Sequence, residues 1–383
     1  MKNIIVLLLL ICSVGLFAND GMGDIPRNNV KFSNKIFRET VKINDGKNFA
    51  LSPLSLNMSM SLLSNGAKGQ TLNEFASVLQ NDPYDQKLMN TVNRILLANS
   101  KGLKVDKYNI ANGIWVRGDY ERQFYLIAKN YYNGDVFVLN NNSKKDINNW
   151  VKKKTNGKID QIVDQISPND KAVIVNSIYF YSGWTNPFPV NNTESGSFIL
   201  ENGDYFPCAM MKDKGLYKVF EYNGGKVLIK ELKGYAAMYF ILPPRGTKLA
   251  DFVKDIDFYT LITNNTEGDE FYKVTVPKFK IEYSEKMNNI FKNLGMKDAF
   301  DLQKANFLGL SKEKTYISSI LHKATIGIDE KGCEASAATS VKATTKGIDR
   351  EEKEISFNRP FAFAIVDQLD DIVIFEGCVY KPE

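Results

Sequence analysis

The sequence predicts an α+β fold built as one unit, and three observations carry that reading. Helical periodicities crowd the first part of the chain, while strand periodicities dominate the later part. Neither a Pro/Gly/Ser-rich linker nor an internal repeat divides it, so a domain prior of roughly 100–200 residues overcounts for these 383 residues. Residues 171–181 form a long, nearly continuous apolar run, the pattern of a strand buried at the centre of a sheet.

The elements follow in order. Val30, Ile36, Phe37, Thr40 and Val41 keep helical spacing and predict an opening helix. Ser52 then stands as an N-cap with Pro53 at the first helical position, and Gly66 gives the stop signal. That helix is rich in Ser and Met, with small hydroxyls on several faces, so it is expected to be packed all round. Residues 71–79 and 86–97 continue as helices. Strands are predicted over 109–116, 135–139 and 171–181, with helices over 121–132 and 145–155 between them. From 197 to 279 nearly everything reads as strand and turn, with clear strands at 227–232, 236–242 and 272–277. A helix over 284–294 and strands over 355–366 and 372–380 complete the pattern.

The N-terminus reads differently. Lys2, an apolar run over 4–17 and small Ala18 before Asn19 have the layout of a secretory signal peptide, residues 1–18. The run is shorter than the roughly 20 apolar residues of a membrane span. The mature chain, 19–383, is therefore expected to be secreted, soluble and extracellular, with no membrane partner. Asn141, Asn191 and Asn264 begin Asn-x-Ser/Thr acceptors in polar stretches, which makes them glycosylation candidates. A fourth, Asn57, lies inside an apolar helix.

Composition excludes more than it proposes. The net charge of +5 is mild for this length and argues against nucleic acid. Lys144, Lys145, Lys152, Lys153, Lys154 and Lys158 concentrate some of it, as a solvated helix face or as an anionic-glycan patch. The chain holds one histidine, His322. Histidine is the usual general base near neutral pH and the commonest metal ligand, so hydrolase and His-based metal chemistry are weak readings. No Gly-x-Ser-x-Gly motif, metal motif or cofactor signature is present. Beyond Cys12 in the leader, Cys208, Cys333 and Cys378 are an odd set, so this is not a disulfide scaffold.

Residues 329–350 fit none of the elements. They are rich in small residues and poor in large apolar anchors, and loops beyond about 12–15 residues are usually functional or disordered. Their alternation is informative. Cys333, Ala335, Ala337, Thr339, Val341, Ala343 and Thr345 are uncharged, whereas Glu334, Lys342 and Lys346 fall on the other parity. A neutral face with period two suits a half-buried strand. The segment has the chemistry of a loop in one state and a strand in another, beside the bland reading of a linker.

Here a family resemblance becomes plain. Glu330-Lys331-Gly332-x-Glu334 followed by Ala335-Ser336-Ala337-Ala338-Thr339 resembles the hinge of a serpin reactive-centre loop. The likeness continues through Asn48 to Ser55, Gly66 to Thr71, Trp150 to Ile159, Val175 to Trp184, Val276 to Phe279, Leu294 to Met296, Ile317 to Ala324 and Asn358 to Phe361, in order. It implies the serpin fold: a single metastable domain with about nine helices, three β-sheets and an exposed loop over about 330–354. It also implies a monomer that polymerises if its loop enters another copy's sheet.

For function, the resemblance implies a suicide inhibitor of serine proteases and not an enzyme. A protease cleaves the loop, is held as an acyl-enzyme, and is distorted as the loop inserts into the central sheet. Counting Glu330 as the first loop residue, the seventeenth is Lys346, so the expected reactive bond is Lys346–Gly347 and the expected target trypsin-like. Bonds after Thr345 and Arg350 are the runners-up. No cofactor is implied; if the lysine cluster is the anionic-glycan patch and not a solvated face, a glycan would be an accelerator. Ser52, Ser55, Asn176 and His322 resemble the family's polar cluster beneath the sheet, and Lys278, Glu330 and Trp184 its loop-entry contacts. Two positions depart. Cys333 stands where the family prefers Thr or Ser, and Cys378 where an Arg is common. The rival expectation is a non-inhibitory serpin with a carrier, chaperone or storage role.

Overall fold

The computed structural model describes residues 25–44, 46–79, 84–102, 107–264, 268–333 and 353–383. The signal-peptide expectation therefore lies outside the described residues. The helices are α1 Ile25–Asn44, α2 Pro53–Ser64, α3 Gly69–Leu79, α4 Gln86–Gly102, α5 Arg122–Tyr132, α6 Ser143–Lys154, α7 Leu249–Val253, α8 Phe258–Thr263 and α9 Asn288–Asn293. The strands are β1 Phe49–Leu51, β2 Lys107–Val116, β3 Asp135–Val138, β4 Ala172–Gly183, β5 Glu194–Ile199, β6 Tyr205–Tyr222, β7 Gly225–Glu231, β8 Ala236–Leu242, β9 Glu270–Pro277, β10 Phe279–Lys286, β11 Ile317–Ile328, β12 Gly332–Cys333, β13 Lys353–Ser356, β14 Phe361–Asp367 and β15 Ile372–Val379.

One sheet runs β10-β11-β12-β4-β2-β3, with β11 also paired directly to β4. The other is nine-stranded and continuous through β6. The two halves of that 18-residue strand have different neighbours: β5 and β9 pair with residues 205–217, β7 with residues 218–222. The three expected sheets are present, two of them joined by one strand.

Helix α2 explains how the sheets hold together. All twelve of its residues are buried, and it touches β15 on one side and β4 and β2 on the other. Its small Ser and flexible Met side chains permit that sandwiching. Ser52 caps it, the hydroxyl accepting from Ser55 N at 3.2 Å. Helix α6 covers the opposite face of the six-stranded sheet, placing Ile147 and Val151 on Val173, Val175 and Trp115. Trp150 donates to Asp135 Oδ2 at 2.8 Å, and Lys154 pairs with the same carboxylate at 2.8 Å, fixing α6 to β3.

The structure corrects several sequence expectations. The helix expected over 284–294 begins only at Asn288, because Ser284, Glu285 and Lys286 extend β10 and pair with Lys323, His322 and Leu321. The strand expected over 355–366 is two strands in different parts of the nine-stranded sheet, since Arg359 and Pro360 break the ladder. Helices α7 and α8 interrupt the supposed strand-and-turn region. Strand β11, central to the site, was not among the predicted elements.

Candidate functional site

The site lies between β4 and β11, which pair directly over most of their length and part at one end to admit β12. The two long strands run parallel, with His322 paired to Asn176 and Ala324 to Ile178. Beyond that ladder a tight turn reverses the chain. The Asp329 carboxylate accepts from the N–H of Lys331 (2.7 Å) and Gly332 (3.1 Å), and Asp329 N bonds Gly332 O at 3.0 Å. The returning strand lies antiparallel to both walls, Cys333 opposite Ile328 on β11 and Ser182 on β4. Gly332 is required there. Its φ is +147°, and a Cβ would stand 2.3 Å from Ser182 O and 2.6 Å from Gly183 Cα.

The turn is anchored from outside. Trp184 N donates to Lys331 O (2.8 Å), its indole Nε1 to Asp329 O (2.9 Å), and Phe188 N to Glu330 O (2.9 Å). Lys278 pairs with Glu330 at 2.9 Å, and Thr193 donates to the same carboxylate at 2.7 Å. Burial pushes the Glu330 carboxyl up, but the bonds from Lys278 and Thr193 outweigh it, so it lies below the usual carboxylate range.

Where β4 and β11 still pair directly lies a buried polar cluster. Asn176 Oδ1 accepts from Ser55 Oγ (2.9 Å) and lies 2.6 Å from His322 Nδ1. Its Nδ2 donates to Ser55 O (3.0 Å) and Asn112 Oδ1 (2.7 Å). Ser52 N donates to His322 Nε2 at 3.3 Å, which makes that nitrogen the bare one. Nδ1 therefore carries the proton and donates to Asn176, fixing one neutral tautomer. Complete burial lowers the His322 pKa to about 3. A neutral, fully enclosed imidazole is a hydrogen-bonded strut, with no base character near pH 7.

The structure thus brings together Ser52, Ser55, Asn176 and His322 in one cluster, and Trp184, Lys278, Glu330, Gly332 and Cys333 in another. Glu334, Ala335, Ser336, Ala337, Ala338, Thr339, Lys346 and Gly347 lie outside the described residues. Asn141, Asn191 and Asn264 are exposed, whereas Asn57 is buried. Within the lysine cluster, Lys152 and Lys154 pair with Asp160 and Asp135, and Lys158 lies over the Tyr179 ring. Lys144, Lys145 and Lys153 are exposed. Cys378 is buried in β15, where burial pushes its thiol well up, and no disulfide joins Cys208, Cys333 and Cys378. Sequence reasoning missed Asn112, Thr193 and Asp329. Asn112 alone left a signal, as a polar residue inside the strand pattern over 109–116.

The defining arrangement is a long parallel pair, β4 and β11, with an antiparallel strand started between them at one end. Comparison with known proteins agrees on the class. The family described as Serpin (serine protease inhibitor) matches residues 27–382, and the chain belongs to that family. Among its relatives, a serpin-like protein of Thermococcus kodakarensis is 30% identical over 92% of this chain and 84% of its own length. Alpha-1-antiproteinase F of Cavia porcellus is 28% identical over 100% of this chain and 98% of its own. Among solved structures, the native state of the thermophilic serpin tengpin superposes with a TM-score of 0.84 at 31% identity, covering 92% of this chain and 93% of that one. Human thyroxine-binding globulin complexed with thyroxine gives 0.84 at 25% identity, covering 95% and 100%.

Proposed function

We propose that the chain is a secreted suicide inhibitor of trypsin-like serine proteases, cleaved at Lys346–Gly347 and driven by insertion of the severed loop between β4 and β11. The observation that supports it most is the register of β12. Continued from the pairings of Cys333 with Ser182 and Ile328, the strand would bring Ala335 between Phe180 and Ile326, and Ala337 between Ile178 and Ala324. Thr339 would reach Asn176 and His322, and Val341 would reach Ile174 and Ile320. All eight wall residues are fully buried. Apolar loop residues would meet apolar walls, and the one hydroxyl would meet the polar pair.

A charge on that face would cost several kcal/mol, and the sequence places none there. Lysine at the expected bond suits a protease whose pocket holds an acidic residue. Loop cleavage is a substrate reaction of the protease, so the inhibitor contributes strain and not chemistry. The likeness to thyroxine-binding globulin keeps a non-inhibitory carrier as the competing reading.

The test is incubation with trypsin and with an elastase-type protease, resolved by denaturing gel and by mass spectrometry of loop fragments. A denaturant-stable complex with trypsin and a cut after Lys346 are expected. Clean cleavage without complex would replace this reading with the carrier one, and a cut elsewhere would move the reactive bond.

A further inference from the structure

Lys230 lies on β7 behind the hinge and is only 4% exposed. Its Nζ stands 4.2 Å from the Phe188 ring centroid, 5.1 Å from Tyr217 and 5.5 Å from Trp184. Its hydrogen bond to the Tyr217 hydroxyl is long, 3.4 Å, and that hydroxyl donates in turn to Asp213 Oδ2 at 2.6 Å. A lysine almost never lies this deep without an ion pair. Two walls of the cage, Trp184 and Phe188, are the same residues that hold the backbone of Asp329, Glu330 and Lys331. An apolar side chain of equal length would fill the space at no electrostatic cost.

We propose that Lys230 is a positioning residue of the hinge, its enclosed ammonium setting how readily strand β12 leaves the parted end of β4 and β11. The physical route is hydration. Burial lowers the Lys230 pKa to about 8, with Asp213 opposing. When the turn releases its three bonds to Trp184 and Phe188, water reaches the cage and the ammonium regains its ordinary proton affinity. Protonation therefore favours the released hinge. That bias is full below pH 8 and is lost as pH rises toward the ordinary lysine value near 10.5. The rings attract the cation, but the lowered value means that burial outweighs them.

The other titratable groups around the cage are few. Tyr217 and Asp213 come from β6, and burial keeps the Tyr217 hydroxyl well up and un-ionised in this range. The hinge turn brings Asp329, Lys331 and Glu330, the last paired with Lys278. The segment from Trp184 to Phe188 brings none, and Glu231 of β7 itself is exposed.

Cys333 is the natural reporter, since it is fully buried while β12 is seated. Alkylation of the full chain by iodoacetamide, quantified at the Cys333 peptide by mass spectrometry from pH 7 to 10, measures hinge release. The ratio of wild type to Lys230→Met cancels the ionisation of the thiol. The ratio is expected to be about tenfold for each unit of pKa regained on release at pH 7, and to fall toward one at pH 10. Lys230→Arg should label like the pH 7 wild type throughout. Asp213→Asn should shift the fall to lower pH. A ratio that is flat, or that rises with pH, overturns the proposal. Should the Arg variant fail to fold, the Met and Asn variants still decide it. The inference rests on reading β12 as the hinge, but the readout needs no protease, so a failure of inhibition and a failure of this mechanism are separable.

Discussion

Asn176 shows how one side chain can hold a sheet shut. Its amide uses both lone-pair directions and both protons inside the protein, bridging α2, β2 and β11 from β4. Because His322 is the sole histidine, its ring C–H resonances should be directly visible by proton NMR, and they should not shift between pH 8 and 5. A titration midpoint near 6.5 would mean that water reaches the ring. The lowered pKa also fixes a sign. Protonation favours states that expose the ring, so stability is lost as pH falls from about 6.5 toward 3, at about 1.4 kcal/mol per unit. Glu376 poses the opposite case. Fully buried in β15, it accepts from Ser33 of α1, while its Oε1 has no partner among the described residues. Burial pushes its carboxyl well above the usual range, so its stabilising effect is greatest at acid pH and is lost as pH rises. Removing both partners avoids an orphaned hydroxyl. The double variant Ser33→Ala, Glu376→Met should raise stability by about 1–3 kcal/mol at pH 8, read as a higher thermal midpoint. A lower midpoint would mean that the carboxyl has a partner that outweighs its burial.

Elements were legible where one periodicity ruled them. Strand β4, with eleven of its twelve residues buried, and the capped helix α2 could be read from apolar continuity and from Ser52-Pro53. Strand β11 could not, because it is covered unevenly on its two faces and carries His322 and Lys323 in mid-run. Helices α7 and α8 hold only five and six residues, too short for a period of 3.6 to show. The hinge was legible as a motif, but its seating was not, because that depends on Trp184, Thr193 and Lys278 arriving from distant elements. Lys230 left no trace, since an alternating strand ordinarily points its lysine to water. The two-residue strand β12 yields the sharpest test at this scale. Gly332→Ala forces a Cβ against Ser182 O and Gly183 Cα at a φ that L-residues avoid, a strain of several kcal/mol. The variant should lose the seating of Cys333, seen as faster thiol alkylation, while far-UV circular dichroism stays unchanged. Protection of Cys333 equal to wild type would show that the turn has room to relax.

At the scale of the whole molecule, the proposed function turns on one ladder that would be exchanged for two. Between Ile320 and Thr325 on β11 and Ile174 and Tyr179 on β4 a single parallel ladder is made. A strand entering antiparallel would replace it with two ladders and bury a further apolar face. The cover on the other side is α6, which rests on the apolar cluster around Trp115, Ile147 and Val151 and is tied to β3 through Asp135. The closing links are polar ones, from Asn176 to Ser55, Asn112 and His322, whose groups an entering hydroxyl can satisfy again. On the proposed function, the native arrangement would be the less stable one once the loop is severed. Cleavage at the expected bond should convert it. Each hydrogen bond gained contributes roughly 0.5–1.5 kcal/mol net, so a strand of about a dozen residues outweighs the disrupted cluster, and the thermal midpoint should rise by about 10 °C or more. Calorimetry of the chain before and after limited trypsin cleavage measures this directly. Replacing Thr339 or Ala337 by Glu places a charge on the entering face, and should abolish the rise while leaving cleavage intact. A midpoint that stays level after cleavage of the wild-type chain would mean that β12 goes no further than Cys333, and the pairing of β4 with β11 would then be a closed feature of the fold.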